Sequence, residues 1–256
     1  ALEDVDIVIH AAALKHVSAA EYNPFEFVKT NIIGSQNIVN SCLKNNVENV
    51  IAISTDKAVS PANLYGATKL CSDKIFLSAN NILGKRKLKF SVVRYGNVFG
   101  SSGSVVPIFL NQSKSGYFNV TDKQMTRFNI TLDECVKMVL WTMNNNFGSE
   151  IIIPKLKSYR IIDLTKAINS KCKINITGIK QGEKLHEELT TLNDTKNLLD
   201  IGPFYIYSED KLIIKKYRKK FPKSKKINKN FIYNSLETND FLTINQLKKL
   251  IKDFKK

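Results

Sequence analysis

The sequence is poor in the residues on which most metal and thiol chemistry depends. It has three histidines and four cysteines in 256 residues. Cys42, Cys71, Cys135 and Cys172 stand far apart, without a C-x-x-C pair and without histidines at zinc spacing. This pattern encodes no metal site. The cysteines read as reduced thiols in or near the core of a cytoplasmic protein, and His10, His16 and His186 as packing or capping residues. No apolar run approaches the ~18–20 residues that span a bilayer. The start, Ala1-Leu2-Glu3-Asp4, is acidic where a signal peptide is basic. No membrane partner is expected. Eleven glycines occur, yet none falls in a G-x-G-x-x-G turn. Gly96-x-x-x-Gly100-x-x-Gly103 has the wrong spacing and position for one.

Acid is scarce as well: 39 Lys and Arg oppose 23 Asp and Glu, a formal charge of +16. The densest basic run goes from Lys215 to Lys220 and on through Lys223, Lys225 and Lys226, with Tyr217 and Phe221 interleaved. Such a run can bind phosphates, but it reads more simply as a solvated face. No nucleic-acid partner is expected. The excess charge can still attract anionic substrates.

What is present is a strand that ends in chemistry. The apolar run Val50-Ile51-Ala52-Ile53 leads into Ser54-Thr55-Asp56-Lys57, and Tyr65-Gly66-Ala67-Thr68-Lys69 follows. On a helix, Tyr65 and Lys69 share one face about a turn apart. An ammonium beside a phenol favours the phenolate, so Lys69 is expected to lower the Tyr65 pKa. That would give a base able to take a proton from a sugar or alcohol hydroxyl, and Thr55 can hydrogen-bond the same oxygen.

Around this motif, strands and helices alternate. Val5 to His10 reads as a strand that runs into small residues. A helix is expected from Pro24 to about Asn46, burying Phe25, Val28, Ile32, Ile33, Ile38, Val39, Cys42 and Leu43. Asn49 to Thr55 and Lys89 to Tyr95 read as strands. Pro61 opens the helix that carries Tyr65 and Lys69. This order predicts an α/β fold with parallel strands and ligands at their carboxyl ends. Further on, Thr131 with Glu134 forms a capping-box pattern, and a helix with Trp141 as a packing residue follows. Glu150 to Ile153 and Ile174 to Thr177 read as strands, and Arg160 to Asn169 and Thr243 to Phe254 as helices. Leu198 to Glu237 gives no clear signal.

The chain starts on what reads as the fourth strand of such a sheet. An N-terminal piece of roughly 60–80 residues, at ~30 per βαβ unit, is expected to be missing. The chain alone is therefore expected to fold poorly and to be inactive. Residues 1–104 are expected to form a truncated cofactor-binding domain. Residues 105–256 are expected to form a smaller substrate lobe, with some elements returning to the first domain.

Several motifs together carry a resemblance. They are His10-Ala11-Ala12-Ala13-Leu14-Lys15-His16, Lys29-Thr30-Asn31, Ser54-Thr55-Asp56-Lys57 and Asn63-Leu64-Tyr65-Gly66-Ala67-Thr68-Lys69. Val93-Arg94-Tyr95-Gly96-Asn97-Val98, Met125-Thr126-Arg127-Phe128 and Gly182-Glu183-Lys184-Leu185-His186-Glu187 complete the set. The chain resembles the extended short-chain dehydrogenase/reductases, and within them the inverting UDP-N-acetylglucosamine 4,6-dehydratases of pseudaminic acid synthesis. Lys57 after Asp56, where the dTDP-glucose enzymes have Glu, and Tyr65, where retaining enzymes have Met, favour the inverting type. The resemblance implies a Rossmann-like doubly wound parallel sheet that lacks its N-terminal strands, NADP (with NAD open) as cofactor and a homo-oligomer. It also implies roles. Tyr65 takes the C4 hydroxyl proton with Thr55 beside it. Lys57 takes the C5 proton, and Asp56 protonates the departing C6 hydroxyl. Ala11, Lys15, Asn31, Tyr65, Lys69 and Val98 line the cofactor. Lys15, Asn97, Arg127 and Glu183 meet the UDP-sugar. A UDP-hexose C4-epimerase, or an inactive truncated binding subunit, is the alternative.

Overall fold

Long β-branched runs bounded by polar turns form strands buried on both faces when helices cover each side. The computed structural model describes residues 2–228, 230–238 and 240–255. In chain order the elements begin β1 (Ile7–His10), α1 (Val17–Tyr22), α2 (Pro24–Phe27), α3 (Gly34–Lys44), β2 (Asn49–Thr55), α4 (Leu64–Ser78) and β3 (Lys89–Tyr95). Next come α5 (Val105–Gln112), β4 (Tyr117–Val120), β5 (Thr126–Asn129), α6 (Leu132–Asn145), β6 (Ile151–Pro154), β7 (Lys157–Arg160), α7 (Ile161–Asn169) and β8 (Lys173–Ile176). The last are β9 (Leu198–Asp200), β10 (Phe204–Tyr207), α8 (Lys211–Lys220), β11 (Lys225–Lys226) and α9 (Ile244–Phe254).

The chain divides into two compact units. The first comprises Ala1–Tyr95, Val136–Lys155 and Leu189–Ile232. It holds a sheet of order β1-β2-β3-β6-β10-β9-β11. β1, β2, β3 and β6 run parallel, and the remaining pairings are antiparallel. Helices cover both faces, which makes the sheet Rossmann-like. Ile51, Val93 and Ile152 pack against Met138 and Val139 of α6 and Ile213 and Tyr217 of α8. On the other face Phe90 meets Phe76 of α4. Burying each such side chain contributes about 1.5–3 kcal/mol. Trp141 packs on Phe204, ring centroids 4.4 Å apart. β1 lies at the sheet edge with Ile7 and Ile9 exposed.

The second unit comprises Gly96–Cys135, Leu156–Glu188 and Tyr233–Lys256. It has two small pairings, β4 with β8 and β5 with β7. Its core gathers Phe109, Phe118, Leu164, Leu247 and Ile251.

Four expectations need correction. Pro24 to Asn46 is not one α-helix, because Val28–Ile33 forms a π-helical segment between α2 and α3. A π turn holds more residues than an α turn, so the apolar stripe rotates. Phe25 and Ile33 are exposed as a result, and Phe27 is buried. Pro61 precedes α4 rather than opening it: Asn63 is the N-cap, its Oδ1 accepting from Gly66 N at 2.8 Å. Cys71 is exposed, on the outer side of α4. The lysine-rich stretch without signal contains β9, β10, α8 and β11. No helix among the described residues is long and apolar enough to cross a membrane.

Candidate functional site

β2 carries its last residue, Thr55, to the carboxyl end of the parallel strands, and Asp56–Ala58 then turns as a short 3-10 helix. This turn can lie on the first turn of α4 because residue 66 is glycine. A Cβ there would overlap the Lys57 carbonyl. The close approach brings Thr55, Asp56, Lys57 and Tyr65 together. The Thr55 hydroxyl donates to Asp56 Oδ1 at 2.8 Å, and Lys57 Nζ stands 3.2 Å from the same oxygen. Thr55 also shares a hydrogen bond with the Tyr65 phenol. Asp56 is buried, whereas the Lys57 side chain is partly exposed.

The expected lowering of the Tyr65 pKa does not hold in this structure. Burial pushes the phenol above its ordinary range. Lys57 and the Thr55 hydrogen bond pull it down, while Asp56 and Asp73 push it further up. The cation acting on Tyr65 is thus Lys57. Lys69 points its ammonium to the Ile53 carbonyl at 2.8 Å. Burial pushes Lys69 below its usual range, and Asp73 opposes this.

The remaining residues expected near the cofactor are dispersed in their tasks. Ala11 and Lys15 lie exposed just beyond β1. Asn31, in the π-helical segment, is buried. Its Oδ1 accepts from Leu14 N at 2.9 Å, and its Nδ2 donates to Leu14 O at 2.9 Å and Thr68 Oγ1 at 3.0 Å. It therefore braces the Ala11–His16 loop against α4. His10 packs on Phe76, and its Nε2 is buried without a hydrogen-bond partner.

The other predicted residues belong to the second unit. Val98 bridges Ile130, and the Ile130 N–H donates to the Asn97 carbonyl at 3.3 Å. Asn97 Oδ1 and Ser104 Oγ are buried without partners, an arrangement suited to an incoming polar ligand. Arg127 is largely engaged within the protein. Its Nη1 donates to the Thr126 and Leu185 carbonyls at 2.7 and 3.1 Å, and its Nε lies 3.7 Å from Glu187. Glu183 is exposed in a turn, accepting from Lys180 N at 3.3 Å.

A buried network escaped the sequence reading. Asp73 accepts from Ser54 Oγ at 2.8 Å and from Arg94 Nη2 at 3.0 Å. Its spacing was a usable signal, since Tyr65, Lys69 and Asp73 recur every four residues along one face of α4.

A family model described as polysaccharide biosynthesis protein matches residues 1–209. An inverting UDP-N-acetylglucosamine 4,6-dehydratase of Campylobacter jejuni subsp. jejuni is 50% identical over 210 residues, which is 81% of this chain and 63% of that protein. The chain thus spans under two thirds of that relative's length. An uncharacterized membrane protein of Methanocaldococcus jannaschii is 43% identical over 99% of this chain and 76% of its own length. Among solved structures, Pen from Bacillus thuringiensis superposes with a TM-score of 0.88 at 34% identity, covering 99% of this chain and 77% of that one.

Proposed function

The chain belongs to the polysaccharide biosynthesis protein family, and from that premise we propose that it acts as an inverting UDP-N-acetylglucosamine 4,6-dehydratase with NADP as cofactor. The observation that carries this reading is the acid–base couple beside the phenol. Asp56 and Lys57 stand 3.2 Å apart, and Thr55 links their neighbourhood to Tyr65. A sibling UDP-hexose 4-epimerase shares Tyr65 and Lys69 but has no task for this couple.

The side chains present suit a nicotinamide cofactor. Lys69 spends one of its three N–H donors on the Ile53 carbonyl, which leaves donors for ribose hydroxyls. His10 Nε2 is an orphaned buried atom at the end of β1. Ala11 leaves room for close approach, and Lys15 and Val98 would complete the lining. When bound, the nicotinamide would accept a hydride from C4 of the sugar and return it to C6.

Tyr65, as the phenolate that the Lys57 charge and the Thr55 hydrogen bond favour against the effect of burial, takes the C4 hydroxyl proton while Thr55 holds the same oxygen. The resulting ketone acidifies C5–H, and Lys57, in its neutral form, removes that proton. Asp56, in its acid form, protonates the C6 hydroxyl, which departs as water. The short Lys57–Asp56 separation allows a proton to pass between them, so both forms arise from one ion pair. Return of a proton to the opposite face of C5 gives the inverted product. Asn97, Arg127 and Glu183 would hold the sugar, diphosphate and ribose.

The test is incubation of the full reading-frame product with UDP-N-acetylglucosamine in deuterium oxide. A 4-keto-6-deoxy product carrying deuterium at C5 is expected, and Lys57→Ala should abolish it. Turnover without deuterium at C5 would reject the assignment, and intact turnover in Lys57→Ala would favour the epimerase.

A further inference from the structure

The family match ends at residue 209, yet the chain beyond it reaches the residues read above as substrate ligands. α9 is a firm support. Thr243 and Gln246 cap it reciprocally, and Leu247 and Ile251 are buried in the core of the second unit. Its last residue, Phe254, lies against the corner of the Gly96–Ser104 loop. Gly100 has φ +74°, a conformation costly for any residue with a Cβ. A Cβ at that position would also run into the Phe254 ring. Phe99 meets the same ring edge-on, with centroids 6.4 Å apart and planes at 86°. Phe254, itself 42% exposed, therefore covers the Gly100 corner from outside, where a Cβ would otherwise stand. Three residues earlier in this loop stands Asn97, with its buried and unpartnered Oδ1.

A second contact points the same way. Ser235 is fully buried, and its N–H donates to the Glu187 carbonyl at 2.8 Å. Its Oγ accepts from Glu187 N at 2.9 Å and lies 2.6 Å from Thr126 Oγ1. Ser235 thus ties together the two segments that carry Arg127 and its partner Glu187.

We propose that residues 233–254 are a built-in part of the substrate half, and that Phe254 is a positioning residue that fixes Asn97 through the Gly100 corner. This rests on the reading of Asn97 as a substrate ligand. A ring held by a capped helix limits how far the loop can drift. A contact to the sugar made equally in the ground and transition states, when loosened, raises KM with little change in kcat.

The experiment compares Phe254→Ala and Phe254→Leu with wild type in the full reading-frame product. Three quantities are read: KM and kcat for UDP-N-acetylglucosamine, UDP affinity by calorimetry, and amide hydrogen exchange across residues 98–104. Phe254→Ala should raise KM about three- to fivefold with a much smaller change in kcat, should leave UDP affinity nearly unaltered because Asn97 is read as meeting the sugar, and should speed exchange at Phe99, Ser101 and Ser104. Phe254→Leu should bring KM most of the way back. If Phe254→Ala does not fold, Phe254→Leu should still show a KM raised about twofold and faster loop exchange. A folded Phe254→Ala with unchanged KM and loop exchange overturns the proposal, as does a Phe254→Leu that matches wild type when the alanine variant is lost. If wild type neither binds UDP nor turns over the sugar, the functional reading fails instead. Loop exchange then decides the positioning role alone: faster exchange in the variant upholds it, and unchanged exchange ends it.

Discussion

Two buried carboxylates sit at opposite ends of the same parallel strands, and their company differs. Asp56 follows β2 at the carboxyl end, where a hydroxyl and an ammonium share its Oδ1. Glu150 precedes β6 at the amino end. Its Oε1 accepts from Ser91 Oγ at 2.6 Å and from the N–H groups of Phe147 and Gly148 at 3.2 Å each. Its Oε2 is buried without a partner, as is the Tyr217 hydroxyl. Burial pushes Glu150 up to about 7, because the neutral donors and Lys89 only partly offset the loss of solvent. A carboxylate beside a cation can trade a proton with it. One held by neutral donors joins the end of α6 to β3 and costs stability whenever it is charged.

Exchanging each acid for its amide should separate these roles. On the proposed mechanism Asp56→Asn removes the proton carrier and is expected to lower turnover about 10²–10³-fold, measured as keto product formed. Glu150→Gln should leave turnover unchanged. Equal losses in the two variants would erase the distinction. The second contrast is in stability. Because the folded-state pKa of Glu150 is raised from 4.5 to about 7, the unfolded chain releases this proton first as pH rises. Stability from this group is therefore complete below pH ~4.5 and is lost as pH climbs through ~7. Glu150→Gln should remove that decline, with a gain of up to about 3 kcal/mol at pH 8 and near parity at pH 4, read from urea denaturation at both values.

Gly66→Ala sharpens the picture at the catalytic end. Its Cβ would force the Asp56–Ala58 turn off α4. A loss of about 1–3 kcal/mol in thermal stability is expected, together with most of the activity. Asn97→Ala is the smallest change. It would remove the proposed hydrogen bond to the sugar, worth about 1 kcal/mol, so KM should rise roughly fivefold with kcat nearly unaltered.

Much of the parallel sheet was legible because β2 carries the apolar run Val50–Ile53 and β3 is rich in valine and aromatic residues, and α4 announces itself through Asn63, Tyr65 and Lys69. The π-helical segment was not, since one extra residue in a turn leaves no mark on composition while shifting Phe25 and Ile33 outward. β9 and β11 are only three and two residues long, and α8 buries just Ile213 and Tyr217, too little for a periodic signal. At the site, sequence spacing identified a cation four residues after Tyr65. It could not show that Lys69 turns to the Ile53 carbonyl while Lys57, brought in by a tertiary approach over Gly66, becomes the charge that Tyr65 senses.

Each compact unit is stitched from three separate stretches of chain, so the polypeptide changes unit five times. Neither can therefore finish on the ribosome as an early, self-contained module. The first waits for Tyr217 to emerge before one face of its sheet is sealed, and the second waits for Leu247 and Ile251. Nascent chains must hold exposed β-strands open until Tyr217, Leu247 and Ile251 have emerged.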